Sequence, residues 1–415
     1  MHREAETCVI LLVCILMAAV FMEPSATAMP MFARKYGLTC STCHTTAPRL
    51  NETGYRFRAA GFRMPEEIGR EPEEQFDILD YISARVQVRT SATRSRIGSL
   101  TTTEHQTLLQ AIELYPLTGA WGKNFSSDIK ITFQPVSSPA VAIENLYGKF
   151  DTGSPQRFFS ARVGYFHPYD GFGAADNPAT ISRPFFQTNP ANLDQSTFFT
   201  TWGFDEGGAE VGFDTGHTSI RAAVLSGLVI NKEDDQFSAT AGVLAKPSAG
   251  PTYGAPDFQL FVNQVLNPEG GGLAFHYYHG KLALPVTGTS NFFRNDFDRA
   301  AIYGSYPAMK HLQLFGAYQY GRDHTFSRGT FSSAGAFAEA SVPIKGMTAA
   351  GVRYDWFDPA RPKANNEIQG VTAYLNAWFF SQLRIVAEYQ HKRTRRESLP
   401  PQTDDAFQLR VIYIK

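Results

Sequence analysis

The chain has 415 residues, with 38 Lys and Arg against 39 Asp and Glu and a formal net charge of −1. A balance this close to neutral, with no basic run beyond Arg393–Arg396, excludes a nucleic-acid protein that works through a basic face. The 33 Phe, 18 Tyr and 34 Gly stand at a mean hydropathy of −0.23, and beyond residue 28 no stretch approaches the roughly 20 apolar residues of a membrane helix.

Residues 1–28 have the form of a signal peptide. Arg3 gives a positive start diluted by Glu4 and Glu6, Cys8 to Met22 is the apolar run, and Ser25-Ala26-Thr27-Ala28 supplies the small residues of a cleavage site. The apolar run is short for a membrane span. Cys8 and Cys14 leave with this segment, so Cys40 and Cys43 are the two cysteines expected in the mature chain.

Those two belong to Cys40-Ser41-Thr42-Cys43-His44. C-x-x-C-H is the attachment site of a c-type haem: two thiols bond the porphyrin, and the adjacent histidine takes the proximal iron position. A zinc site would need two more ligands at suitable spacing, and no second C-x-x-C or paired histidine motif is present. A thioredoxin-like thiol pair would need a βαβ context, which is absent. The expected cofactor is one covalent haem c on Cys40 and Cys43, with His44 as the proximal iron ligand.

Residues 29–75 form the expected monohaem segment. Asn51 is placed to cap a helix through Tyr55, Phe57, Arg58 and Phe62, closed by Gly61 and Pro65. Met64, at the end of that helix, is the first candidate for the distal iron ligand, since a thioether raises the potential relative to a second histidine. Met29, Met31 and His105 are its rivals. Arg34, Lys35, Arg49, Arg56, Arg58 and Arg63 either neutralise the haem propionates or form a solvated basic face. A segment of under about 50 residues buries too little apolar surface to stand alone, so it is expected to lean on the rest of the chain, in or at the mouth of a barrel, the alternative being a segment that faces the periplasm on its linker.

Residues 76–415 change period. Ile82, Ala84, Val86 and Val88 alternate with Ser83, Arg85, Gln87 and Arg89, and Ile129, Ile131 and Phe133 alternate with Lys130, Thr132 and Gln134. Such segments fit strands with one face to lipid and one to a wet lumen. About sixteen are recognisable, centred near residues 85, 111, 130, 146, 162, 210, 223, 262, 277, 302, 315, 338, 352, 374, 387 and 410. Their connections alternate: short at 122–124, 214–217, 306–310, 343–346 and 380–382, long at 167–205, 230–256, 322–332, 358–368 and 392–404. The fold class is therefore mainly β, an outer-membrane antiparallel β-barrel of about sixteen strands behind a small helical segment. The pairs Tyr277-Tyr278, Phe292-Phe293 and Trp356-Phe357 and the run Trp378-Phe379-Phe380 fit interface girdles or ordinary strand packing. Glu233, Asp234, Asp235, Asp404 and Asp405 are expected in outer loops, as a lure for a cation or as solvated charges. His167, His276, His279 and His311 read as lumen or loop residues and define no metal site.

The stretch Phe32–Pro65, through FARKYGLTCSTCH, PRLNETG and GFRMP, resembles the haem segment of the fused outer-membrane cytochrome–porins, the group that includes the iron-oxidising fusions. The order of signal, single haem and barrel extends the resemblance along the chain. It implies electron transfer across the outer membrane, from extracellular Fe(II) to a periplasmic electron carrier, with outer-membrane lipids around the barrel. Outward transfer uses the same parts. A solute porin with a haem plug or sensor is the reading from another class. A haem enzyme would need an open distal position and an acid–base pair, and neither is recognisable.

Overall fold

Period-two alternation in this chain becomes paired strand at every position where it is sustained. The computed structural model describes residues 30–46, 48–71, 77–135, 141–166, 179–188, 191–193, 196–198, 206–225, 256–285, 292–309, 311–325, 329–361, 366–379, 382–396 and 399–415. The expected signal peptide, Met29, His167 and residues 233–235 lie outside them.

Among the described residues a closed antiparallel barrel is formed by β1 Ser83–Ile97, β2 Leu100–Tyr115, β3 Phe125–Phe133, β4 Val141–Ser154, β5 Arg157–Phe166, β6 Glu206–Thr215, β7 Thr218–Leu225 and β8 Asp257–Val265. It continues through β9 Gly272–Pro285, β10 Phe292–Met309, β11 Leu312–Thr325, β12 Gly329–Lys345, β13 Thr348–Asp358, β14 Ile368–Phe379, β15 Leu383–Arg396 and β16 Leu399–Ile414. Gly119–Ala120 pairs with β3 beyond the end of β2. Each of the sixteen expected centres falls inside one of these strands. Pairing of β16 with β1 closes the ring, and Ala84 and Lys415 exchange two backbone hydrogen bonds of 2.8 Å at that seam.

The two faces differ as the alternation requires. Along β5, Phe158, Ser160 and Arg162 are buried while Phe159 and Val163 are exposed; along β8, Gln259, Phe261 and Asn263 are buried while Phe258 and Leu260 are exposed. An outer surface of exposed Phe, Val, Ile and Leu is costly in water and favourable in hydrocarbon. The inner face carries the ions, in cross-strand pairs such as Arg162–Glu210 at 2.7 Å, Arg221–Asp214 at 2.6 Å and Arg299–Asp323 at 2.7 Å.

Connections of two or three residues follow the even-numbered strands β4, β6, β10, β12 and β14, at residues 155–156, 216–217, 310–311, 346–347 and 380–382, and an equally short one follows β1 at residues 98–99. Two of the long loops expected from the sequence are mostly strand instead. β11 runs to Thr325 and β12 begins at Gly329, while β15 and β16 leave only 397–398 between them. Beyond the apolar band the outer face of a strand no longer needs apolar residues, so pairing continues while the composition turns polar. Asp404 and Asp405 accordingly lie in β16, not free in a loop: Asp404 is ion-paired to Lys392 at 3.2 Å and Asp405 is hydrogen-bonded to His391 Nδ1 at 2.8 Å. The aromatic pairs also divide between faces, since neighbours on a strand point to opposite sides. Tyr278 and Phe357 join a luminal cluster with Phe261, Phe297, Tyr303 and Phe337.

Two further segments enter the ring. Residues 179–188 are tied to the wall through Arg353, which donates to Thr180 Oγ1 at 2.6 Å, and Glu388, which accepts from the Ile181 N–H at 2.6 Å. Phe185 and Phe186, in the short helix Phe185–Thr188, join the luminal aromatic cluster. Residues 30–71 pack at the short-turn end, as the next subsection details.

Candidate cofactor site

Three short helices build the amino-terminal segment: α1 Pro30–Tyr36, α2 Cys40–Cys43 and α3 Glu52–Ala59. α2 is a single turn that contains the whole C-x-x-C spacing. His44 follows it in extended conformation and pairs with Leu50 in a two-stranded ribbon. The pattern C-x-x-C-H therefore becomes a bend with two thiols on one turn and an imidazole where the chain leaves it.

Asn51 holds this bend. Its side chain caps α3 by accepting from the Gly54 N–H at 3.0 Å, and its Nδ2 donates to Thr42 O at 3.0 Å. Its own N–H donates to Cys43 O at 2.9 Å. The expected cap is thus correct, and the same residue clamps the cysteine turn. The expected helix is too long: α3 stops at Ala59, and Gly61 and Phe62 both take positive φ, at 70° and 60°.

The donor set fits a covalent haem. Neither Cys40 nor Cys43 is in a disulfide. Burial pushes the Cys40 thiol up to about 12, with Cys43 beside it adding to the shift, and burial also raises Cys43. Both therefore stay protonated near neutrality, unlike thiolate metal ligands. Among the described residues no group of three or more His, Cys, Asp and Glu could hold a metal ion. His44 Nδ1 lies 3.2 Å from Pro48 O. With the Nδ1 proton given to that carbonyl, Nε2 keeps the lone pair that an iron ligand needs. Burial also lowers the His44 pKa, favouring the neutral ring. Cys40 packs against buried Met347, at the β12–β13 turn, and Trp378 of β14. Trp378 Nε1 is buried with no hydrogen-bond acceptor among the described residues, an open donor beside the cysteine turn.

Met64 is brought elsewhere. It packs with Met31, Phe32 and Phe57, whereas Cys40 packs with Met347 and Trp378. His105 is exposed near the far end of β2. Five of the six basic residues singled out in the segment are tied to carbonyl groups or side chains around them. Arg34 donates to Leu79 O at 2.6 Å, Lys35 to Ala120 O at 3.0 Å and Arg56 to Pro155 O at 3.0 Å. Arg63 donates to Gly122 O and Lys123 O, both at 2.9 Å. Arg49 pairs with Glu339 and donates to Ser341 Oγ at 2.8 Å. These cations strap the segment to the inner wall and the short turns. Lys149 of β4 reaches back to Ala59 O at 2.5 Å. Met347 and Trp378 were not recognisable as neighbours of the cysteine turn, because that depends on which parts of the chain the closed ring brings together; Asn51's second role depends on the ribbon that folds it back on Cys43.

Solved structures resemble this chain along the barrel. The anion-selective porin from Comamonas acidovorans superposes with a TM-score of 0.53 at 10% sequence identity, over 80% of this chain and 99% of that one. The outer membrane channel DcaP of Acinetobacter baumannii gives 0.52 at 10% identity, over 84% of this chain and 100% of that one. OmpF of Salmonella typhi, in complex with daunomycin, gives 0.50 at 9% identity, over 80% and 97%. No family model matches the chain, and no curated protein matches it. At such identities the likeness concerns the fold: this is a porin-like sixteen-strand barrel.

Proposed function

We propose that this protein is an outer-membrane cytochrome–porin fusion that carries electrons across the bacterial outer membrane, from extracellular Fe(II) to a periplasmic electron carrier. The observation that carries the reading is the union of a C-x-x-C-H turn, with two thiols outside any disulfide and an oriented imidazole, and the inner wall of a porin-like barrel. Cys40 and Cys43 hold one haem c covalently and His44 is its proximal ligand. Met64 is the candidate distal ligand, and to reach the iron it would have to leave its packing with Met31, Phe32 and Phe57. The haem supplies a one-electron couple, and the rest is the work of the chain. Asn51 fixes the cysteine turn, Pro48 orients the imidazole, and the arginine straps hold the segment where donor and acceptor approach from opposite sides. The exposed apolar residues of the strands meet outer-membrane lipid. Fe(II) oxidation at the outer surface would make the protein an Fe(II) oxidase in effect.

The likeness to porins favours a second reading, a solute porin with a haem plug or sensor. The luminal aromatic cluster and the strapped segment oppose an open pore. Two measurements on one detergent-purified sample decide. Stopped-flow mixing with ferrous iron is expected to reduce the haem bands, and planar bilayers are expected to show little conductance. A haem that ignores ferrous iron in a freely conducting barrel would make the porin reading correct. Covalent attachment is tested by a pyridine haemochrome of c type after denaturation.

A further inference from the structure

We infer that Arg384, Arg410 and Arg89 of the inner wall form the seat for the propionate carboxylates of the haem. This rests on the haem reading above.

The segment's own cations are largely committed, as described, to carbonyl groups and carboxylates of the barrel. The propionates therefore need partners on the wall. Trp378, packed against the Cys40–Met347 cluster, faces Arg384 across β14–β15. Arg384, whose Nε donates to Asn376 Oδ1 at 2.9 Å, faces Ile412 across β15–β16 and stands at the side of the seat. Arg410, two residues from Ile412 on the same face, stands directly opposite Arg89 of β1, and this pair is its centre. Two guanidinium groups in register across a ladder repel each other unless an anion lies between them. The Nε atoms of Arg410 and Arg89 are buried and meet no hydrogen-bond acceptor among the described residues.

The nearby carboxylates are engaged. Glu388, on the inner face of β15, accepts from the Ile181 N–H at 2.6 Å and the Ser182 N–H at 3.1 Å. Glu113 of β2 pairs with Arg85, accepts from Gln87 Nε2 at 2.8 Å and Tyr115 Oη at 2.7 Å, and lies 3.8 Å from Lys130. The wall thus carries a surplus of cation beside the cysteine turn. Position agrees as well. Strands lie about 4.8 Å apart, so β15 and β16 stand about 5 and 10 Å from β14. Propionates leave a porphyrin on the edge away from its thioether carbons. A haem whose thioether edge lies at Met347 and whose far edge points along the wall toward β15 and β16 would bring its carboxylates to these arginines. Carboxylate recognition by guanidinium is strong and directional.

The same chemistry would suit a free oxyanion in the lumen, and the test separates the two sources. Arg410→Gln, Arg384→Gln and Arg89→Gln are compared with Arg322→Gln, an exposed charge on β11, in the intact haem-loaded protein. Loss of a cation at the propionates favours ferric haem. Each seat variant is expected to shift the Fe(III)/Fe(II) equilibrium about threefold toward ferric, about 30 mV lower at 59 mV per tenfold. The propionate bending bands of the resonance Raman spectrum are expected to move in the same variants, and Arg410→Lys to restore most of the potential. Heat-modifiable migration confirms that each barrel has assembled, and three separate positions keep the test open if one does not. Unchanged potential and unchanged propionate bands overturn the proposal. A change only in anion selectivity also overturns it, in favour of a free oxyanion. A wild-type protein without covalent haem overturns the haem reading itself.

Discussion

Gly54 faces the carbonyl of Cys43 so closely that a Cβ at position 54 would come within 2.2 Å of that oxygen. The same oxygen accepts from the Asn51 N–H at 2.9 Å. The glycine of PRLNETG is therefore the point where α3 lies directly on the cysteine turn, and backbone atoms cannot move aside as a flexible side-chain tip can.

Gly54→Ala is accordingly expected to separate α3 from the cysteine turn. Covalent haem per barrel should fall several-fold, while heat-modifiable migration of the barrel stays as in the wild type. Haemochrome quantification on detergent-purified protein checks this.

Arg49→Met breaks the main strap between the segment and β12. Glu339 would keep its bond from Tyr374 but lose its buried cation. Removing one partner of a buried pair costs about 3–5 kcal/mol, because the other charge is left without its partner. The segment should leave the mouth for part of the time. Planar-bilayer recordings are expected to show raised ion conductance, and limited proteolysis to cleave ahead of Ser83.

Val211 lies on the outer face of β6 and is 62% exposed. Val211→Arg puts a charge against lipid and is expected to cost about 2–4 kcal/mol if it lies near the midplane. Gln408→Arg, on the inner face of β16 opposite Glu388, should be tolerated. Denaturant titration of the two refolded barrels in detergent gives the comparison.

In protein made without cytochrome maturation, Cys40 keeps its thiol. Burial raises its pKa from 9.0 to about 12, so at neutral pH the folded state holds roughly a thousandfold less thiolate than the unfolded chain. Alkylation of Cys40 should be slow up to about pH 9 and accelerate toward pH 12. The sign for stability follows: the folded state keeps a proton that the unfolded state has lost, so the thiol's contribution is complete below about pH 9 and declines as pH rises through 12. In haem-loaded protein this alkaline decline should be absent, since a thioether does not titrate. Alkylation time courses at stepped pH are the measurement.

Met64→Leu is expected to remove the weak long-wavelength charge-transfer band of a thioether-ligated ferric haem. Met347→Leu, at the methionine packed on Cys40, should leave that band in place. Absorption spectra of the two ferric variants settle which methionine serves.

Much of the architecture was legible because strand alternation is local. Lys130 between Ile129 and Ile131 already states which face is wet, and turn positions follow from where alternation stops. The ends of the outer strands were not legible. From Arg322 to Thr325 and from Lys392 to Arg396 the residues are polar on both faces, and only their paired neighbours keep them in the sheet. The aromatic pairs were ambiguous for a related reason: the sequence shows two large rings together, while the pleat sends Tyr278 inward and Tyr277 to the other side.

The sequence by itself determined the chemistry at the cysteine turn and the period of the wall, because thiol spacing, helix capping and alternation act over a few residues. Only the tertiary structure decided what those parts meet. Arg49 lies 290 residues from Glu339, and Cys40 lies far along the chain from Met347 and Trp378. A closed ring brings such positions together through strand register, and register is the sum of every turn and bulge between them, which no short stretch of sequence contains.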